Sequence, residues 1–435
     1  MAILNSMFNG FAGGVHPPEN KYTEGIAIET VPSPKKVYIP FSQHTGKPAR
    51  PLVQKDDVVK IGTKIGESEG FISVPIHASI SGKVLALISH PHPVLGTSLC
   101  CVIESTGEEW EEGIKENENY ENLTRDELIN IIKEAGIVGL GGAAFPTHVK
   151  LSPPLEKPID TLIINGCECE PMLTADHRLM LEQAQGIIGG AKIFQKILGA
   201  TNLFFGIEDN KKDAVEIFIE EGLEVRTLKT KYPQGAEKQL IKAILNREVP
   251  RGGLPMDVGC VVQNVGTCYA TFQAVTFHKP LIDRVVTVTG DGIKQPKNVL
   301  VRIGTPAIDV INFCGGYVEQ TKIIVFGGPM MGIAQYSEDV PIIKGTSGII
   351  VSTQSRVVEE GPCVRCAHCV DVCPMGLMAC EIYKFVKNKN FDKAKEYGVL
   401  DCIECGCCAY ACTAGIPLVH YLKYGKSEVW RLQKQ

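Results

Sequence analysis

The alternation of apolar and polar positions divides the chain into four stretches. Up to about residue 110 it consists of short β-prone runs punctuated by Pro and Gly. Between Val58 and Val84 (VVKIGTKIGESEGFISVPIHASISGKV) glycines recur at the turns between alternating runs, the pattern of short paired strands. Residues 107–122 (TGEEWEEGIKENENYE) are acidic and apolar-poor, which predicts a solvated linker. Thr124-Arg-Asp-Glu127 then has capping-box spacing ahead of Leu128, Ile131 and Ile132, so a helix is predicted to enter the next domain. From there strand-like runs at 161–165, 202–207 and 224–228 alternate with helical periodicity near 176–199, 210–222 and 235–246. That alternation predicts a largely parallel sheet with helices on its faces. Between Leu281 and Ile333, strands at 284–289 and 322–326 flank a short helix near 306–313, which suggests a small β-grasp domain. Residues 334–358 are expected as a connector, and 375–386 and 392–397 as helices of a last region.

The expected class is therefore α/β and multidomain. It comprises a β-sandwich within 1–110, an α/β domain over 120–280, a β-grasp domain over 281–335 and a helical domain over 355–422. A chain of 435 residues outgrows one core, so about three or four domains are expected. The content of 44% hydrophobic and 21% charged residues is that of an ordinary globular protein, and a net charge of −5 leaves no basic stripe for nucleic acid. The opening MAILNSMFNGFAGG lacks the charged and continuous apolar regions of an export leader. No stretch reaches the roughly 18 uninterrupted apolar residues of a membrane span. The closest, Gly259 to Phe277, is broken by Gln263, Asn264 and Gln273, so membrane association is expected only through partners. The N-terminal stretch resembles the lipoyl/biotinyl-type β-sandwich. Those domains carry a cofactor on a lysine at a hairpin tip. The comparable turn here, Glu69-Gly70-Phe71, has none, which predicts a docking module and not a swinging arm. Gly13-Gly-Val-His-Pro-Pro18 before it reads as a tethered arm, with His16 as a turn residue.

Composition changes the picture most through its 17 cysteines, which in a chain without an export signal point to metal or redox use. Two runs share the spacing C-x2-C-x2-C-x3-C: Cys363, Cys366, Cys369, Cys373 and Cys402, Cys405, Cys408, Cys412. In this arrangement three thiolates hold one [4Fe–4S] cubane and the fourth crosses to the other. Cys363, Cys366, Cys369 and Cys412 are thus expected on a first cluster, and Cys402, Cys405, Cys408 and Cys373 on a second. Zinc knuckles or disulfides are the alternatives; zinc sites normally use paired cysteines, not triplets with a returning fourth. Cys407 intrudes on the second run, but register favours Cys405 and Cys408. Cys100, Cys101, Cys260, Cys314 and Cys380 sit among apolar or small residues and are expected to be buried and inert.

Four segments of the central stretch carry further chemistry: Gly136-IVGLGGAAFPTHV-Lys150, Asn165-GCECE-Pro171, Tyr232-PQGA-Glu237 and Gln263-NVG-Thr267. Glycines let backbone approach a phosphate or a flat ring, and a helix N-terminus offers free N–H donors to an anion. In order and content the four resemble the flavin- and NADH-binding subunit of respiratory complex I. Together with the twin cysteine runs, the whole chain resembles the RnfC proteins of the bacterial Rnf electron-transport complexes. That resemblance implies a lipoyl-like N-terminal domain, a central FMN-binding α/β domain, a β-grasp domain of the SLBB type and a ferredoxin-like domain with two [4Fe–4S] clusters. By matching positions it implies that Gly139, Gly141, Gly142 and Lys150 hold the phosphate side of non-covalent FMN. Asn165, Glu168, Gly235, Glu237, Asn264 and Thr267 would line the FMN, while Phe145 and Glu170 would stand where NAD(H) enters. Cys167 and Cys169 are expected to line the site without thiol catalysis. Thr413 departs from the Pro that usually follows the fourth cysteine.

Nicotinamide exchanges two electrons as hydride and an iron–sulfur cluster takes one; flavin couples the two. The resemblance thus implies an NAD(H)-dependent oxidoreductase subunit, peripheral on the cytoplasmic face of a bacterial membrane. Its partners would be the other subunits of a Na+- or H+-translocating complex, with ferredoxin reached indirectly. No catalytic side chain and no nucleic acid are expected. The rivals are a cobalamin reductase of bacterial microcompartments and a non-catalytic iron–sulfur relay.

Overall fold

A computed structural model describes residues 10–117, 119–321, 323–354 and 358–433. Residues 1–9 of the leader reading, Lys322 of the predicted strand 322–326, and 355–357 of the expected connector lie outside the described residues.

The N-terminal strands are β1 (Ile28–Thr30), β2 (Lys36–Pro40), β3 (Arg50–Pro51), β4 (Val58–Val59), β5 (Lys64–Glu67), β6 (Ile76–His77), β7 (Ser81–His92) and β8 (Gly96–Gly107). One sheet runs β2-β8-β7-β4 and a second β3-β5-β6. Alternate residues of both (Val37, Ile39, Ile65, Ile76, Val84, Ile103) close a shared core, the sandwich that the period-two pattern predicts. Burial pushes the Cys100 and Cys101 thiols up to about 12, which makes them inert. β1 leaves this domain and pairs in parallel with a strand of the third domain.

In the central domain α1 (Arg125–Glu134) starts at the expected capping box, Thr124 accepting from the Glu127 N–H while the Glu127 carboxylate accepts from the Thr124 N–H. Then follow α2 (Thr147–Lys150), β9 (Thr161–Gly166), α3 (Ala175–Glu182), α4 (Ala184–Leu198), β10 (Asn202–Glu208), α5 (Lys212–Glu220), β11 (Val225–Leu228), α6 (Glu237–Leu245), β12 (Cys260–Asn264) and α7 (Val265–Phe277). All four strands are parallel, in the order β11-β10-β9-β12. Leu162 and Ile164 of β9 join the core under α1, α4 and α7, and Ile163 joins the one under α6. A strand covered on both faces reads as the continuous apolar run seen in the sequence. The single helix expected over 176–199 is broken at Gln183 (φ −133°, ψ 31°). α3 packs on α5 and α7, whereas α4 must lie flush on α7. At Gly190 a Cβ would stand 1.9 Å from the Cys268 carbonyl oxygen, so only glycine permits that approach.

The third domain contains β13 (Asp283–Thr289), β14 (Lys297–Arg302), α8 (Ala307–Phe313), β15 (Ile323–Phe326), β16 (Ile333–Ala334) and β17 (Gly348–Ser352), in a sheet ordered β1-β14-β13-β17-β15-β16. This sheet also draws in strands from outside the expected 281–335. β17, from the expected connector, sits between β13 and β15, and β1 caps the other edge. Gly348–Val351 are all buried, as a central strand requires. The last domain is helical: α9 (His368–Asp371), α10 (Ala379–Lys387), α11 (Phe391–Glu396), α12 (Cys407–Tyr410) and α13 (Leu418–Gln433). Ile382, Val386, Leu418, Leu422 and Val429 make its apolar core.

Candidate functional site

β10 and β11 lie on one side of β9 and β12 on the other, so the strand order reverses between β9 and β12. In open parallel sheets ligands bind at such a reversal, outside the carboxyl ends of the strands. Asn264 ends β12 and pairs with Asn165, one residue before the end of β9. The Asn264 side chain caps α7, accepting from the N–H groups of Gly266 (2.8 Å) and Thr267 (3.4 Å), and its amide donates to Asp176 at 2.7 Å. Thr267 Oγ1 accepts from the Leu140 N–H at 2.9 Å, which brings the glycine loop to this helix end. The loop folds back on itself, with the Gly139 N–H donating to the Phe145 carbonyl at 2.8 Å, and exposes its tip at Gly141, Gly142 and Ala143. Gly142 has φ +118°, a conformation a side chain would resist. Phe145 is half-buried. Lys150 Nζ donates to Glu237 (2.5 Å) and to the Val262 carbonyl (3.1 Å). Asn165 donates to the Gly235 carbonyl at 2.8 Å. The four sequence segments therefore converge on one crevice.

Side chains that motif reading did not single out shape this crevice. Lys21, from the N-terminal arm, donates to the carbonyls of Glu168 (2.9 Å), Glu170 (2.9 Å) and Leu173 (2.6 Å). Lys211 donates to the Cys167 carbonyl (2.6 Å) and pairs with Glu208 (3.1 Å). Burial lowers the Lys21 pKa; at Lys211 burial is outweighed by Glu208 and Glu168, and the pKa is raised. Both lysines thus bind the carbonyl side of the Asn165–Pro171 loop. Their signal was absent from the motifs because the acceptors are backbone atoms far along the chain. The two acidic residues of the loop serve it as well. Glu168 accepts from the Asp176 and His177 N–H groups at the start of α3, and Glu170 from Met330 (3.0 Å) and Met331 (2.8 Å) of the third domain. Burial pushes Glu170 up to about 7. Burial and the Glu168 charge raise Asp176 too.

The N-terminal domain sits on the glycine loop. Thr45 donates through its N–H to the Ala144 carbonyl and through Oγ1 to that of Ala143 (3.1 and 2.9 Å), while His148 Nε2 lies 3.0 Å from the Phe71 carbonyl. The hairpin tip that holds a lysine in carrier domains is here a fixed contact.

The two cysteine runs adopt the same backbone. The residues before and after the second cysteine are left-handed in both, at Arg365 and Ala367 (φ +57° and +65°) and at Glu404 and Gly406 (φ +60° and +82°). Cys373, Cys402, Cys405 and Cys408 line one cavity with Leu377 and Ile403. The Leu377 N–H points at Cys373 Sγ and the Glu404 N–H at Cys402 Sγ, each at 3.3 Å. Among the described residues no three His, Cys, Asp or Glu side chains close around a point suited to a single ion. Thiolates spread around a cavity suit a cubane better than the tight tetrahedron of zinc. Of the other run, Cys369 packs near Cys412, Cys363 is half-buried, and Cys366 is exposed with Thr413 Oγ1 3.7 Å from its sulfur. Cys407 is fully buried and faces the Tyr232 carbonyl at 4.0 Å. Of the cysteines expected to be inert, Cys380 differs: it is half-buried against Cys369, because α10 brings it beside the first run.

Fold and site together define a flavin and iron–sulfur electron-transfer protein. Four family models match in chain order: the RnfC barrel sandwich hybrid domain (residues 9–108), the Nuo51 FMN-binding domain (132–273), the SLBB domain (285–334) and a 4Fe-4S dicluster domain (356–413). The chain is 50% identical to the RnfC-type component of a proton-translocating ferredoxin:NAD(+) oxidoreductase complex from Clostridium ljungdahlii, covering 97% of this chain and 94% of that protein. It is 43% identical to the corresponding component of the Na(+)-translocating complex from Acetobacterium woodii, covering 98% of each. To its counterpart in the ion-translocating oxidoreductase complex from Rhodobacter capsulatus it is 39% identical, over 97% of this chain and 84% of that one. The chain belongs to the RnfC family of Rnf-type ferredoxin:NAD+ oxidoreductase complexes, and its cofactors are FMN and two [4Fe–4S] clusters. Among the described residues no helix is long and apolar enough to cross a membrane.

Proposed function

We propose that this subunit exchanges electrons between NAD(H) and a membrane complex at whose cytoplasmic face it sits. Partner subunits would connect it to ferredoxin and couple the flow to Na+ or H+ translocation, as the names of its relatives suggest. Bound FMN supplies the exchange between a two-electron hydride and single electrons, and bound clusters carry those electrons one at a time. The residues that would hold the flavin are Gly139, Gly141, Gly142, Lys150, Asn165, Gly235, Glu237, Asn264 and Thr267. The Lys150 ammonium would favour its anionic end, and the exposed glycine tip leaves room for a phosphate or a flat ring. Phe145 would border the nucleotide entry. Glu168 and Glu170 would act through the loop they hold. Cys402, Cys405, Cys408 and Cys373 would ligate the inner cluster, and Cys363, Cys366, Cys369 and Cys412 the outer.

The observation that carries this reading is the contact between the inner cysteine cavity and the crevice. The Tyr232 hydroxyl donates to the Cys405 carbonyl at 2.7 Å, and Gly235, three residues on, borders Asn165 and Cys169. The outer run has its second cysteine at the surface, within reach of a docked partner. Acid extraction of the purified protein should release one non-covalent flavin, and NADH should bleach it in the anaerobic holoprotein. Flavin-free protein after cofactor loading, or flavin that NADH never bleaches, would overturn the reading.

A further inference from the structure

The N-terminal arm, residues 10–22, lies outside the sandwich and touches both sides of the junction between the crevice and the cluster domain. Val15 and Tyr232 exchange two backbone hydrogen bonds, at 2.8 and 2.9 Å. One residue earlier, the Gly14 N–H donates to the Val372 carbonyl at 2.8 Å, next to Cys373. Gly13 lies so close to Cys373 that a Cβ would stand 2.7 Å from its carbonyl carbon and oxygen, and its φ is +74°. Val15 and Tyr232 are buried with Cys405 and Cys407 in one apolar cluster. Farther along, Lys21 grips the loop that carries Cys167 and Glu170. This short arm thus bridges from an inner-cluster cysteine to the floor of the flavin crevice.

We propose that Gly13, Gly14 and Val15, clamped on Tyr232, are positioning residues that hold the inner-cluster cysteines against the flavin-side loops and so set the rate of electron passage between them. The inference rests on the function proposed above. In balance, NADH and two oxidised clusters give NAD+, H+ and two reduced clusters, with every electron crossing this junction. Single-electron transfer is sensitive to separation, and here the separation is fixed by backbone contacts that tolerate no side chain at position 13.

The test is Gly13→Val in the full-length holoprotein, read two ways. Hydrogen exchange should rise in 231–235 and in 370–376. In anaerobic stopped-flow, NADH should bleach the flavin at the parental rate while cluster reduction slows by about tenfold or more, the equilibrium shift that overpacking a tight contact carries. Flavin and iron contents should match the parent, which a merely destabilised protein would not show. If Gly13→Val loses iron, Gly14→Ala, whose Cβ would stand 2.7 Å from the Tyr232 carbonyl oxygen, is judged by the same criteria. Unchanged exchange, or raised exchange with unchanged cluster reduction, overturns the proposal. Failure of NADH to bleach the parental flavin would instead sink the functional reading, and exchange would still decide whether the arm is a clamp.

Discussion

At the scale of single residues, the crevice depends on side chains that satisfy backbone. Asn264 is the clearest: one amide caps α7 with its oxygen and supplies Asp176 with its nitrogen. Asn264→Ala removes a cap, worth about 1 kcal/mol, and leaves Asp176 without that donor, about 1–3 kcal/mol more. Asn264→Ser keeps a capping oxygen and loses only the second contact. Urea unfolding should therefore rank parent, Ser and Ala in that order, with flavin retention falling in step. Equal stability of Ser and Ala would show that the cap contributes little. The sequence pointed to Asn264 through the Gln263–Thr267 segment, whose order and content resemble the flavin-binding subunit of complex I. It could not point to Lys21 or Lys211, whose acceptors are carbonyls up to about 150 positions away.

At the scale of elements, local periodicity located most strands and helices, while long-range pairing decided the rest. Gly348–Ser352 lay within the expected connector 334–358, because nothing nearby in sequence said that it would enter the third domain's sheet. The break at Gln183 follows from packing against α7, and propensity alone would have run α3 into α4. The 43–47 loop shows how an element carries pH dependence. His44 accepts the Val74 N–H at 3.3 Å and is buried at the junction with the glycine loop. Burial, then the Lys344 charge, lower its pKa to about 4. The unfolded chain therefore takes up the proton first, so the stabilisation is present above about pH 6.5 and is lost as pH falls toward 4. By pH 5 this one group costs about 2 kcal/mol. His44→Gln, which can still accept from Val74, should flatten the decline of melting temperature between pH 7 and 5. His77, His92 and His148 shift in the same direction, while Glu170 and Asp176, raised to about 7, bind protons first in the folded state and oppose the slope over the same window, so the measurement is the difference between parent and variant. Lys344, lowered to about 7, loses its share mainly above that window. An unaltered slope in the Gln variant would remove His44 from this role.

At the scale of the whole molecule, the two cysteine runs share a backbone but not an environment, and that asymmetry orders them. The second run is tied inward by Tyr232 and by the Arg251–Asp401 pair, and Cys373, which would join it on the inner cluster, by Gln239 donating to the neighbouring Pro374 carbonyl at 3.2 Å. The first run has only its helix-side cysteine, Cys369, buried. Removing one ligand from either run should lower iron by about half, because each cubane is held by four thiolates. The consequences should differ. In Cys366→Ala, NADH should still reduce the remaining inner cluster, and only delivery to the partner subunits should fail. In Cys408→Ala the outer cluster is retained, yet NADH should no longer reduce it, although dithionite does. Paramagnetic resonance of the two variants after each reductant separates these cases. If Cys408→Ala left an outer cluster that NADH still reduced, electrons would have a path that avoids the Tyr232 junction, and the inner-to-outer order drawn from burial would be wrong.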